Sequence, residues 1–296
     1  MKEKHSKINR RNFLKTVGAT GLGSVLASAD SIAAQSPTDT AEKAKKPKYP
    51  QVPKRKLGKT SVKVPCLCLG GNQDLIANQI VLRKAPQWGV YYWDTAHNYT
   101  GGNSELGIGK ILSKNPKARK KFFISSKASR SKTITEVEER LQTSLKRMKT
   151  DYIDLYYGYH QCPDPALLTN ELKEWAESAK KRKLIRHFGI STHQNMAKVL
   201  TAAAKLDWIE VIMTTYNFRL MQDKKLNAAI DACHKAGKGI VAIKTLGMGQ
   251  KITTDEDKKL TDHFLRRGFT KEQAKIKAVL QDKRITAVCV GMKNIR

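Results

Sequence analysis

From residue 65 onward the chain alternates between two hydrophobic periods. Eight short runs rich in apolar, β-branched and aromatic residues occupy 65–71, 90–96, 122–127, 152–160, 185–192, 211–218, 239–247 and 287–294. Most are separated by stretches in which apolar residues recur every three or four positions, among them 135–148, 170–180, 196–205 and 224–235. Strands alternating with helices at this spacing form βαβ units, which pack as a parallel sheet. Eight of them predict an α/β fold closed into a (β/α)8 barrel. Ahead of the first run, residues 55–64 set a Leu57-Gly58-Lys59-Thr60 turn between two short extended pieces, which predicts a β-hairpin plugging the barrel floor.

The first fifty residues lack this pattern. Asn9-Arg10-Arg11-Asn12-Phe13-Leu14-Lys15 is a twin-arginine signature, followed by a mildly apolar Gly/Ala-rich run and by small residues suited to cleavage, at Ala27-Ser28-Ala29 or Ser31-Ile32-Ala33. Residues 1–33 are therefore expected to be a signal peptide, and the protein to be periplasmic or otherwise exported. Residues 34–53, rich in Lys, Pro, Thr and Ala, are expected to be a disordered linker, and 54–296 the barrel. No later stretch reaches the ~18 apolar residues of a membrane span.

Charge is the second unusual property. The chain carries 56 basic against 26 acidic residues, a formal +30. Residues 1–33 account for six of the former and two of the latter, so the remainder is still at +26. The dense basic clusters, 114–121, 180–183, 235–238 and 282–284, all fall between a predicted helix and the following strand, which is the barrel floor. Cations there complement helix C-terminal dipoles. A solvated floor is the simpler reading; weak association of the floor with anionic envelope polymers or lipid is the sharper one. The clusters lack interleaved aromatics, so no nucleic-acid partner is expected. Five cysteines, Cys66, Cys68, Cys162, Cys233 and Cys289, suggest neither a disulfide framework nor a metal site. Cys66 and Cys68 are expected to share one face of the first barrel strand.

In such a barrel, chemistry belongs at the carboxyl ends of the strands. Asp94 closes the second run and Tyr99 follows five residues later; Lys127 closes the third and His160 the fourth. A phenol alone holds its proton until pH ~10. A neighbouring ammonium lowers that pKa and eases proton donation to a developing alkoxide, an Asp keeps the ammonium charged, and a His orients the substrate oxygen. Each residue singly has an ordinary structural explanation. Four in order at three consecutive strand ends do not. His97 and His193 are further candidates to line the mouth, as are the aromatics Trp93, Tyr157, Tyr159 and Phe218, which would suit an apolar or sugar-like carbonyl compound.

These motifs, with Arg55–Thr60, Ser104-Glu105, residues 151–155, Pro163-Asp164-Pro165, Gly189-Ile190-Ser191-Thr192, Tyr216-Asn217 and the 246–249 loop, resemble the aldo-keto reductase superfamily over roughly residues 54–294. The resemblance implies an NAD(P)H-dependent oxidoreductase that reduces an aldehyde or ketone, or oxidises the alcohol. It implies a catalytic tetrad: Tyr99 as general acid/base, with Lys127 and Asp94 lowering its pKa and His160 positioning the substrate. It assigns Tyr216 to stacking on the nicotinamide of NADPH or NADH and Ser191 and Thr192 to its carboxamide. The pyrophosphate would lie on Thr245, Leu246, Gly247 and Gly249, and a ribose phosphate near Lys293. Two positions depart from the common pattern: Thr192 stands where Asn is frequent, and Met213 where Gln is frequent. Loss of those amide contacts keeps an alternative open, a catalytically weak cofactor-binding or sensing protein. The chain also stops at Arg296, where family members continue into a helix that closes the barrel. A hydrophobic strip beside the first and last barrel strands is therefore expected to be uncovered.

Overall fold

The computed structural model describes residues 47–293 except 250. The expected signal peptide and the first part of the linker lie outside the described residues. The linker's last residues are packed, contrary to expectation. Val52 is buried and donates its N–H to the Trp88 carbonyl at 2.9 Å, and the Tyr49 and Trp88 rings lie 4.6 Å apart. An apolar Val and an aromatic ring set among prolines gave that stretch enough surface to bury.

The hairpin forms as predicted. β1 (Lys54–Lys56) and β2 (Lys63–Pro65) pair antiparallel, Arg55 opposite Val64. The Arg55 guanidinium bonds the carbonyls of Ile285 and Leu280, tying the hairpin to the barrel's last connection. Its turn requires glycine: Gly58 has φ +57°, and a Cβ there would approach Gly239 N to 2.3 Å. That contact drives Leu57 into the barrel interior, where it is fully buried.

All eight predicted runs become strands. β3 (Leu67–Gly70), β4 (Tyr92–Asp94), β5 (Phe123–Lys127), β6 (Ile153–Tyr157), β7 (Ile185–Thr192), β8 (Val211–Thr215), β9 (Gly239–Ile243) and β10 (Ala287–Gly291) follow one another around a closed parallel barrel. β10 closes onto β3 with Cys289 opposite Cys68. The connections carry α1 (Gln79–Lys84), α2 (Asn103–Lys114), α3 (Ile134–Met148), α4 (Asn170–Lys181), α5 (Met196–Ala204) and α6 (Lys224–Lys235), with α7 (Asp255–Arg266) and α8 (Lys271–Gln281) both between β9 and β10. Strands covered on both faces explain the near-continuous apolar runs in the sequence. An inner layer of Tyr92, Leu155, Tyr157, Val211 and Val241 fills the barrel, and a larger outer core lies between strands and helices.

Two expectations about β3 change. Cys68 belongs to the inner layer, but Cys66 belongs to the outer core. β3 starts at Leu67, while the Cys66 N–H is bound to the Pro53 carbonyl, so strand alternation does not extend through it. The uncovered strip is also narrower than expected. Leu69, Val288 and Val290 are buried in one cluster with Val81 and Leu82 of α1 and Ala278 and Val279 of α8. Ile76 and Ile80, at 37% and 40% exposure, are the large apolar side chains left open around α1.

Candidate active site

Strand register brings the predicted acid–base group together. Asp94 at the end of β4 is opposite Ser125 of β5, and Lys127 follows on the same face two residues later. Ser125 Oγ donates to Asp94 Oδ1 at 2.7 Å, and Lys127 Nζ donates to Asp94 Oδ2 at 2.6 Å and to the Thr95 carbonyl at 2.7 Å. Both charged side chains are almost wholly buried, Lys127 at 1% and Asp94 at 3% exposure. The remaining reach of Nζ is toward Tyr99 Oη, at 3.4 Å. The His160 ring stands edge-on to the Tyr99 ring at 5.2 Å between centroids, and Ser129 Oγ lies 2.9 Å from His160 Nδ1, leaving Nε2 for the cleft.

The loop bearing Tyr99 is held from below. A capping box of Thr133 and Glu136 starts α3, whose last turn presents Arg147. Arg147 donates to the His97 carbonyl at 2.6 Å and pairs with the fully buried Glu105 at 3.2 Å. Burial pushes the Glu105 carboxyl up, while the hydrogen bonds from Ser126 and Arg147 pull it back. The guanidinium passes so near Gly102, φ +100°, that a Cβ would meet its Cζ at 2.6 Å. Ser104 completes the support, with Oγ 2.6 Å from the Gly71 carbonyl and 2.7 Å from Thr95 Oγ1. The Ser104-Glu105 pair thus has a role in positioning the loop.

Electrostatics revise one expectation. Burial raises the Tyr99 phenol to about 12; Lys127 opposes this, and the Asp94 carboxylate adds to it. The expected net lowering by Lys127 and Asp94 does not occur, because desolvating a phenolate costs more than one ammonium, itself paired to a carboxylate, returns. Burial is the largest single influence on Lys127 and opposes its charge, but Asp94, Tyr99 and Cys289 together, with the hydrogen bond to Asp94, outweigh it and its pKa rises. Burial and the Lys127 charge bring His160 down to about 3, and burial with Lys244 and Lys127 brings His193 down to about 4. Both imidazoles are neutral near pH 7.

These groups face a cleft of about 430 Å³ at the carboxyl end of the barrel. Ser191 and Met213 line it, and the Ser191 hydroxyl is buried with no hydrogen-bond partner among the described residues. Thr245 presents a second buried hydroxyl of that kind, at the head of a loop with positive φ at Lys244, Gly247, Met248 and Gly249. Leu246 is half-buried in this loop, Gly249 is exposed at its end, and Lys293 is exposed past β10. Tyr216 is not at the cleft. Its side chain is fully buried, and its hydroxyl bonds Asp282 at 2.8 Å and Asn227 at 3.2 Å, so no ring face is open for stacking. Ile243 lines the cleft instead. Thr192 is also turned away, its hydroxyl donating to the Gln194 carbonyl at 2.9 Å. Of the two extra histidines, His193 lines the cleft and His97 does not. Trp93, Tyr157, Tyr159 and Phe218 are buried in the core, and the rim is polar, with Asn72, Asn98 and Gln161. Sequence reasoning missed Asn72, Asn98, Lys244 and Cys289; only Lys244, at a strand end, carried the signal that found Lys127.

The aldo/keto reductase family model matches residues 70–286, most of the chain and the carboxyl ends of the barrel strands from β3 to β9. The chain belongs to the aldo/keto reductase family. It is 28% identical over 220 residues to the NADP(+) aldo-keto reductase yakc of Schizosaccharomyces pombe, covering 67% of this chain and 62% of that protein. It is 24% identical over 204 residues to aldo-keto reductase AFTS1 of Alternaria alternata, covering 57% and 55% of the two chains. The chain thus spans somewhat under two thirds of the length of these two relatives. An L-glyceraldehyde 3-phosphate reductase of Escherichia coli is 24% identical over 306 residues, with 82% and 85% covered. Among solved structures, a thermostable aldo-keto reductase in complex with the inhibitor epalrestat superposes with a TM-score of 0.69 at 24% identity, covering 82% of this chain and 90% of that one. At that identity the likeness shows the fold of this aldo/keto reductase family member.

Proposed function

We propose that the protein reduces an aldehyde or ketone with NADPH or NADH, Tyr99 donating the proton to the carbonyl oxygen. The observation carrying this reading is the buried chain from Asp94 through Lys127 to Tyr99, opening on the cleft beside a neutral His160. A nicotinamide bound in the cleft would supply hydride to the carbonyl carbon. Ser191 and Thr245 suit it, since each holds a buried hydroxyl lacking a protein partner. The 246–249 loop can bring backbone N–H groups close to phosphate oxygens where its glycines remove side chains. Lys293 is a candidate for a further phosphate contact. His160, neutral, orients the carbonyl oxygen by hydrogen bonding without competing as an acid. A phenol at about 12 stays protonated throughout the neutral range, the state that a proton donor to the carbonyl oxygen needs. Two relatives are named for such chemistry, one with NADP(+) and one with a phosphorylated aldehyde.

Tyr99→Phe tests this directly. Consumption of NADPH with a panel of aldehydes should fall by about 10²–10⁴-fold while quenching of protein fluorescence by NADPH is unchanged. Wild-type protein that binds NADPH yet turns over no better than the variant would favour the sensing alternative, for which Met213 in the cleft is the supporting observation.

Export through the twin-arginine signature fits a protein that folds and takes up its cofactor first. The floor supports a further reading, docking on anionic envelope components. A groove of about 410 Å³ there is lined by Lys117, Lys120 and Lys149, on the opposite side from the cleft.

A further inference from the structure

One cation in the cleft is not used by the acid–base group. Lys244 directly follows β9 with φ +55°, a left-handed conformation that is costly for a non-glycine residue. In a strand, successive side chains point to opposite faces. The left-handed turn ends that alternation, so Ile243 and Lys244 both line the cleft. The Lys244 side chain has no ion pair or hydrogen bond among the described residues, although its ammonium is near enough to depress His193. The sole carboxylate lining the cleft among the described residues is Asp94, already bound to Lys127. The other polar groups at the rim, Asn72, Asn98 and Gln161, are neutral donors and acceptors.

We infer that Lys244 recognises an anionic oxygen group, and that the substrates are carbonyl compounds bearing a carboxylate or phosphate. The substrate class rests on the reductase reading; the anion site itself does not. The Lys244 ammonium is exposed and hydrated, and neutral imidazoles, amides or an aliphatic or aromatic aldehyde leave its charge without a counter-ion. An anionic substrate would satisfy it, and the surplus of basic residues over the whole chain would speed its arrival. The same ammonium could meet a cofactor phosphate, because the glycine loop begins at the next residue. The two sources can be separated by measurement.

The test compares 4-oxobutanoate with butanal, aldehydes of equal chain length with and without a carboxylate. Each is titrated by protein fluorescence into the full-length wild type, Lys244→Met and Lys244→Arg, with NADPH titrated in parallel. Wild type should bind 4-oxobutanoate about tenfold more tightly than butanal, the strength of one charge-assisted hydrogen bond. Lys244→Met should lose that preference, with butanal and NADPH binding unchanged, and Lys244→Arg should retain it. Equal wild-type affinity for both aldehydes, an unaltered preference in Lys244→Met, or a loss falling on NADPH overturns the inference. Binding preference without NADPH oxidation would sink the reductase reading and leave the anion site standing.

Discussion

Two aspartates, one at each end of the barrel, are equally buried and do different things. Asp154, on β6 near the floor, accepts from Arg119 at 2.7 Å, Arg186 at 3.0 Å and the Ile124 N–H at 2.9 Å. Both guanidinium groups stack on Tyr152 at 4.0 Å, one on Arg119's side and one on Arg186's. Every strong partner in that cluster is protein, and its charge is spent on holding β5 to β6. Asp94, at the mouth, binds one cation and one hydroxyl, and the cation's remaining reach ends 3.4 Å from a phenol that borders the cleft. The difference is not in residue type or burial. It lies in whether the last member of the chain of contacts is satisfied inside the protein or left for a ligand.

The sharpest way to break this comparison is to remove the cation at the mouth and the carboxylate at the floor. Lys127→Met leaves Asp94 buried without its counter-ion and should cost about 3 kcal/mol of stability. It should also lower aldehyde reduction by about 10²-fold or more. Asp154→Ala strands Arg119 and should cost a similar stability, read by urea unfolding, while kcat/KM of the folded fraction is unchanged. Equal activity losses from the two would erase the distinction.

A smaller effect comes from the histidines on the loops around the mouth. His97 and His193 are each brought to about 4 and His160 to about 3, in every case first by burial. Their folded pKa values are depressed below the unfolded 6.5, so the unfolded chain binds more protons in the window between. Stability is therefore complete above pH 6.5 and lost as pH falls toward 4 and then 3, by at most about 1.4 kcal/mol per histidine per pH unit. Thermal melts across pH 4–7 should show the decline, and His160→Asn should reduce it. The same neutrality predicts no limb in kcat/KM near pH 6.5; a limb there that His160→Asn removes would show the imidazole to be a proton carrier.

Least affected should be turnover when the floor is altered. Lys117→Glu with Lys120→Glu and Lys121→Glu should weaken binding to anionic vesicles in a salt-sensitive way and leave kcat unchanged. Vesicle binding that persists in the triple variant would overturn docking through this cluster. Arg182, though in a basic cluster, is a poor target, since it is paired with Glu138 at 2.7 Å.

The barrel was legible in the sequence because strands buried on both faces must be apolar throughout, and the helices between them must carry a stripe at every third or fourth residue. Asp94, Tyr99, Lys127 and His160 could be found because strand ends have fixed positions in such a barrel. What lies past a strand end was less legible. Tyr216 and Ile243 both follow or close strands, yet the hydroxyl partners Asp282 and Asn227 draw the tyrosine into the wall and leave the aliphatic residue in the cleft. Those partners come from α6 and from the end of α8, the second 66 residues away, and no local pattern announces them. The net rise of the Tyr99 pKa is of the same kind. Residue types give the sign of each pairwise contribution, but the balance between desolvation and charge depends on burial, which only packing creates. By itself the sequence determined the strand count, their order and which side chains stand at their ends. Tertiary structure decided which of those side chains the protein satisfies internally and which it leaves open, because that choice depends on neighbours brought together from distant parts of the chain.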